Sequence, residues 1–160
     1  MPMYQPIETL SWSLVIPTYQ REAILLRCLR LAAQQTLAPK EVIVIDASPA
    51  WETTRANIMQ ELAATYSTID WQIRQANRLS SAAQRNQGID LATADIIFLI
   101  DDDSFMYPDC AEIVMRIYAQ DTAHQVAGIM PALAFLPPDR EVQSPVAQKS
   151  ATIFKKLRVI

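Results

Sequence analysis

Three carboxylates stand together at Asp101-Asp102-Asp103, directly after the apolar run Ile96-Ile97-Phe98-Leu99-Ile100. Like charges this close repel, so the group is stable only in water or around a cation. Side chains of an extended segment alternate, which points Asp101 and Asp103 one way and Asp102 the other. Asp101 and Asp103 are thus the expected claw for one divalent metal, with Asp102 left for a different partner. The plain alternative is an acidic loop that solubilises a strand end. Composition narrows the choice of metal. The single histidine, His124, leaves almost nothing for a zinc site or a histidine relay, and reads as an ordinary loop residue. Oxygen ligands favour Mn²⁺ or Mg²⁺.

Only two glycines occur, Gly88 and Gly128, too few for a Gly-rich phosphate cradle. Any bound nucleotide must have its phosphates held by other groups. Cys28 and Cys110 lack metal-type spacing and suit small buried positions in a reducing compartment. The formal charge of −3 gives no support for a nucleic-acid partner. No run approaches the roughly 18 apolar residues of a membrane span, and the N-terminus lacks a secretory pattern. A cytoplasmic protein is the expectation.

The elements that position these residues follow from periodicity. The 160 residues suit one domain with a substantial core. Trp12 to Pro17 reads as a short buried strand, and Glu22 to about Thr36 as an amphipathic helix. Glu41 to Asp46 is a second buried strand, followed by the turn Ala47-Ser48-Pro49 and a helix from about Glu52 to Tyr66. Ile69 to Arg74 alternates apolar and polar, as a strand nearer an edge does. Ser80-Ser81 caps a helix that runs to about Leu91. Ile96 to Ile100 reads as a strand buried on both faces. Pro108 opens a helix through Tyr118, and Val126 to Leu133 is expected to form a further strand. Strand and helix alternate over the first 133 residues, so the expected class is α/β, a mainly parallel Rossmann-like open sheet with helices on both faces. The core is expected over 11–133. The remainder, 134–160, reads as loop plus a short basic helix from Ala147 to Arg158. Lys149, Lys155, Lys156 and Arg158, mixed with Ile153, Phe154 and Leu157, allow contact with a membrane surface or a partner chain, although a solvated end is the plainer account.

Right-handed crossovers bring the carboxyl ends of these strands to one rim. That rim would collect Tyr19, Asp46, Arg85 and the acid pair, which together match a nucleoside diphosphate: an apolar group beside the base, a carboxylate for its donors, a cation and a guanidinium for the pyrophosphate. Tyr19 is equally a packing residue and Arg85 equally a surface one, while Asn86 and Gly88 read as support for their helix.

Four segments carry a resemblance: Val15-Ile16-Pro17-Thr18-Tyr19-Gln20-Arg21, Val42-Ile43-Val44-Ile45-Asp46-Ala47-Ser48, Gln84-Arg85-Asn86-Gln87-Gly88-Ile89 and Phe98-Leu99-Ile100-Asp101-Asp102-Asp103. In order and spacing the chain resembles the nucleotide-binding half of family 2 glycosyltransferases, which have the GT-A fold, over roughly Ser11 to Leu133. The resemblance implies that Pro17, Thr18 and Tyr19 line a nucleobase pocket, that Arg21 belongs to the nucleotide-binding set, and that Asp46 accepts a hydrogen bond from the base. It places Asp102 near ribose or donor sugar, turns Arg85 toward the donor, and makes Asp101 and Asp103 the DxD pair, with Asp103 a direct ligand of Mn²⁺ or Mg²⁺. The implied reaction is inverting transfer of a sugar from a UDP- or GDP-sugar to a saccharide or other hydroxyl acceptor.

Three departures bear on this, the first being that a glycine relatives often carry ahead of the Arg85-Asn86 segment is replaced around Ser80. Ala47 stands where many relatives carry a second acid, and Asp139-Arg140-Glu141 does not match the acidic motif that supplies their general base. No catalytic base is assigned, and the chain is expected to be shorter than full-length relatives. A nucleotide-sugar-binding module without turnover is the competing reading. Phosphatases of the haloacid dehalogenase type and response-regulator receivers fit poorly, because their acids follow the first strand.

Overall fold

A computed structural model describes residues 10–134 and 136–139. Expectations for the basic tail, Ala147 to Arg158, lie outside the described residues. Four strands, β1 (Trp12–Thr18), β2 (Glu41–Asp46), β3 (Asp70–Gln75) and β4 (Ile96–Leu99), form one sheet in the order β3-β2-β1-β4. Every pairing is parallel. Four helices connect or follow them: α1 (Glu22–Ala33), α2 (Trp51–Ile58), α3 (Ser81–Leu91) and α4 (Cys110–Gln120). α2 continues into a wider π turn over Met59–Ala63.

Alternation along the central strands sorts their side chains into two cores. Leu14 and Ile16 of β1 and Val42 and Val44 of β2 face α1, α2 and α4, meeting Leu25, Leu29, Ile58, Leu62 and Met115. Val15, Ile43 and Ile45 face the other side, with Leu91 of α3. Gly88 lets α3 come this close: a Cβ at that position would lie 2.3 Å from Val15 Cγ1. The result is the three-layer α/β/α arrangement expected from the sequence, with an all-parallel sheet.

Two expectations fail. β4 is not buried on both faces; its residues are half-buried or exposed, because it is the edge of the described sheet and pairs only with β1. Val126 to Leu133 forms no strand. An apolar run becomes a strand only where another strand takes its backbone groups, and here Met130 and Leu133 are 94% and 95% exposed. β1 also continues through Pro17 to Thr18 instead of ending at the proline. The β4 ladder reaches Val15, whose carbonyl accepts from Ile100 N–H. Thr18 faces β2, accepting from Ala47 N–H. Pro17 thus faces the β4 side beyond the last rung, where its missing N–H costs nothing.

Candidate functional site

Parallel pairing puts Thr18 and Asp46 opposite one another at the carboxyl edge of the sheet, with the acidic segment just past β4. Thr18 Oγ1 donates to Asp102 Oδ2 at 2.8 Å. Arg21 reaches Asp102 Oδ1 at 3.0 Å and Asp103 Oδ2 at 2.8 Å. Arg85, on α3, donates to Ser81 Oγ and Asp101 Oδ1. Asp102 is buried while Asp101 and Asp103 are exposed; the separation is made by a turn, closed by the Ser104 N–H on the Asp101 carbonyl, and not by the alternation of an extended strand. The hydrogen bond to Asp103 and the charge of Asp102 raise the Arg21 pKa further.

From behind, α1 holds this acidic loop. The Cys28 thiol lies 3.2 Å from the Ser104 carbonyl and 3.8 Å from that of Asp101. Burial, helped by the charges of Asp102 and Asp103, pushes its pKa up to about 12. The thiol is therefore a protonated donor to the loop and not a nucleophile.

A cavity of about 260 Å³ opens beside the loop, between β1, the start of α1 and the turn after β2. Thr18, Gln20, Arg21, Glu22, Asp46, Ser48 and Thr54 line it. Thr18 and Arg21 thereby belong to both the cavity and the acidic loop. Two carboxylates in its wall behave differently. Glu22 is occupied, accepting from Asn57 Nδ2 at 2.6 Å and Thr54 Oγ1 at 3.3 Å. Asp46, only 1% exposed, uses Oδ1 for the backbone N–H and hydroxyl of Ser48. Its Oδ2 is buried with no partner. Buried acceptors are nearly always paired, so this oxygen has room for a donor from outside the chain, whether a water, an ion or a ligand.

The structure thus gathers Thr18, Arg21, Arg85, Asp46 and Asp101 to Asp103 at one rim. Pro17 lies inside the sheet and Tyr19 is exposed on the rim; neither is among the residues lining the cavity. Sequence reasoning missed two residues. Gln84 is buried and donates from Nε2 to the carbonyls of Thr18, at 2.9 Å, and Ile45, at 2.7 Å, tying the ends of β1 and β2 together. Ser48 orients Asp46, and the signal for it was the Asp-x-Ser spacing of an Asx turn.

Asp101 and Asp103 each give one oxygen to an arginine. Two exposed carboxylates offer hard oxygen donors of the kind Mg²⁺ and Mn²⁺ take, and so fit a divalent ion that keeps other ligands from water or phosphate. Among the described residues no cluster of three or more His, Cys, Asp or Glu is placed to hold a metal by itself.

The family model for glycosyl transferase family 2 matches residues 13–137. The chain belongs to this family. The family 2 domain is 30% identical over 124 residues to EpsH of Bacillus subtilis (strain 168), which carries a glycosyltransferase name; the match covers 72% of this chain and 33% of EpsH. The mannosyltransferase PcManGT from Pyrobaculum calidifontis, solved in complex with GDP-Man and Mn²⁺, aligns with a TM-score of 0.54 at 18% identity, over 74% of this chain and 33% of its own. S. aureus TarS 1-349, solved with UDP, aligns with a TM-score of 0.51 at 19% identity, over 65% of this chain and 30% of its own. These likenesses show the GT-A fold. The family 2 domain spans about a third of the length of the relatives it matches.

Proposed function

We propose that this family 2 domain binds the donor of a glycosyltransferase, a nucleoside diphosphate sugar, with a divalent ion at the Asp101/Asp103 pair. The observation that carries the reading is Asp46, which lines a cavity that shares Thr18 and Arg21 with the acidic loop and whose buried Oδ2 has no partner among the described residues. A base N–H entering the cavity would supply the missing hydrogen bond. The pyrophosphate would then lie toward Arg21 and Arg85, whose guanidinium groups suit its paired oxygens. A bound Mn²⁺ or Mg²⁺ would neutralise charge on the departing nucleoside diphosphate as a Lewis acid. The solved neighbours holding GDP-Man with Mn²⁺, and UDP, lend support through the shared fold.

Calorimetric titration of the full chain with UDP and GDP, with and without Mn²⁺, tests the reading. Binding strengthened by Mn²⁺ is expected, and Asp103→Ala should remove the metal-dependent part. Absence of binding by either nucleotide, or binding indifferent to metal, overturns it. Release of free sugar from a bound donor would separate a transferase from a module that only binds, and inversion is checked by the anomeric configuration of a transferred product.

A further inference from the structure

Asp46 lines the cavity with only one carboxylate oxygen unpartnered, and Ser48 is the reason. The Ser48 backbone N–H donates to Asp46 Oδ1 at 2.8 Å, and the Ser48 hydroxyl donates to the same atom. A carboxylate oxygen has two lone-pair directions, so Oδ1 is fully used. The hydroxyl cannot easily turn away. Its own oxygen accepts from the backbone N–H of Gln20 at 2.7 Å, and Gln20 sits at φ 53°, in the left-handed region, to make that contact. Ser48 is itself buried. What remains for a ligand is Oδ2 alone.

Nucleobases differ in what they present to such an acceptor. Guanine carries two parallel donors, N1–H and an exocyclic N2–H, which match both oxygens of an open carboxylate. Uracil carries a single imide N–H between two carbonyls. Adenine and cytosine set a ring-nitrogen lone pair beside their amine, which Oδ2 would repel. A carboxylate with one oxygen already filled satisfies uracil and leaves a buried guanine donor unmatched, and an unmatched buried donor is costly. The uracil carbonyls can take an N–H from Gln20, whose side chain has no partner among the described hydrogen bonds and which lines the same cavity.

We infer that Ser48 is a specificity-determining residue: by filling Asp46 Oδ1 it makes the site read uracil, so that the donor is a UDP-sugar and not a GDP-sugar. This rests on the donor-binding reading given above.

The test is calorimetric titration of the full chain and of Ser48→Ala with UDP and with GDP in the presence of Mn²⁺. The wild type should bind UDP about tenfold or more tightly than GDP, the discrimination expected of one unmatched buried donor. Alanine keeps the backbone N–H and frees one lone pair of Oδ1, so the UDP-to-GDP ratio should narrow by about threefold or more. Equal affinities, or a preference for GDP, overturn the base assignment and leave the donor site standing. A UDP preference that Ser48→Ala leaves unchanged overturns the role of Ser48. Binding of neither nucleotide overturns the donor site itself. Ser48→Cys, similar in size but a weak donor, carries the same expectation should the alanine variant lose the wild-type circular dichroism spectrum.

Discussion

Strand β2 begins and ends with a buried carboxylate, and the two are opposites in everything but burial. Glu41 and Asp46 are each 1% exposed. Glu41, at the amino end, accepts from Ser13 Oγ at 2.5 Å, from Thr93 N–H at 2.5 Å and from Gln72 Nε2 at 3.3 Å. Both its oxygens are occupied. Burial alone would raise its pKa, yet the hydrogen bonds from Ser13, Thr93 and Ala94 outweigh it and hold the pKa below the usual glutamate range. Asp95, on the same side of the sheet, is likewise lowered, by the backbone N–H and hydroxyl of Ser11. Asp46, at the carboxyl end, keeps one oxygen without a partner. The amino edge of this sheet spends its carboxylates on joining strands and loops. The carboxyl edge withholds one. A buried charge by itself therefore says little about function, and the distribution of its lone pairs says more.

Swapping charge for amide at the two ends should break the symmetry of burial most clearly. Asp46→Asn is expected to lower UDP affinity by about 10- to 100-fold, because it replaces an ionic acceptor with a neutral amide. Urea midpoints should hardly move. Glu41→Gln should do the reverse: lose about 1–3 kcal/mol of stability, by disturbing paired buried donors, with UDP affinity unchanged. If both variants lose affinity, or both lose only stability, the contrast between the ends is wrong.

Gly88→Ala should cost about 1–3 kcal/mol, since its new Cβ meets Val15 and something must shift. α3 also carries Gln84, the clamp on the ends of β1 and β2, so this variant should lose UDP affinity as well, measured by the same calorimetry. Acid gives the smallest effect. A carboxylate whose folded pKa is depressed adds stability that is present above its unfolded value and lost as pH falls through the folded one. Wild-type stability should therefore decline below about pH 4, and Glu41→Gln should flatten that decline in urea titrations at successive pH values.

Much of this was readable in the residues. Periodicity placed α1, β2 and α3 to within a few residues, because apolar spacing and the Ser80 cap act locally. Asp102 does part from its neighbours, but through the turn after β4 and not through the alternation expected of an extended segment. Edges were not readable: Ile96 to Ile100 looks the same whether one strand or two lie beside it, and only the partners decide. The Val126 to Leu133 run failed for the same reason. Within the site, Arg21 meets Asp103 across 82 positions, a distance at which spacing carries no signal. Gln84 lies within one of the four family segments, but nothing in a glutamine announces that its amide will bridge two strand ends.

Pro17 has a consequence for the shape of the rim. An ordinary residue there would offer an amide hydrogen toward the carbonyl of Ile100 and invite β1 and β4 to pair one rung further. That extra rung would draw the start of the acidic segment flat against its neighbour. With the imino ring in place the two chains stop zipping after Val15, and the acidic segment is free to turn away, released by an atom the polypeptide does not have.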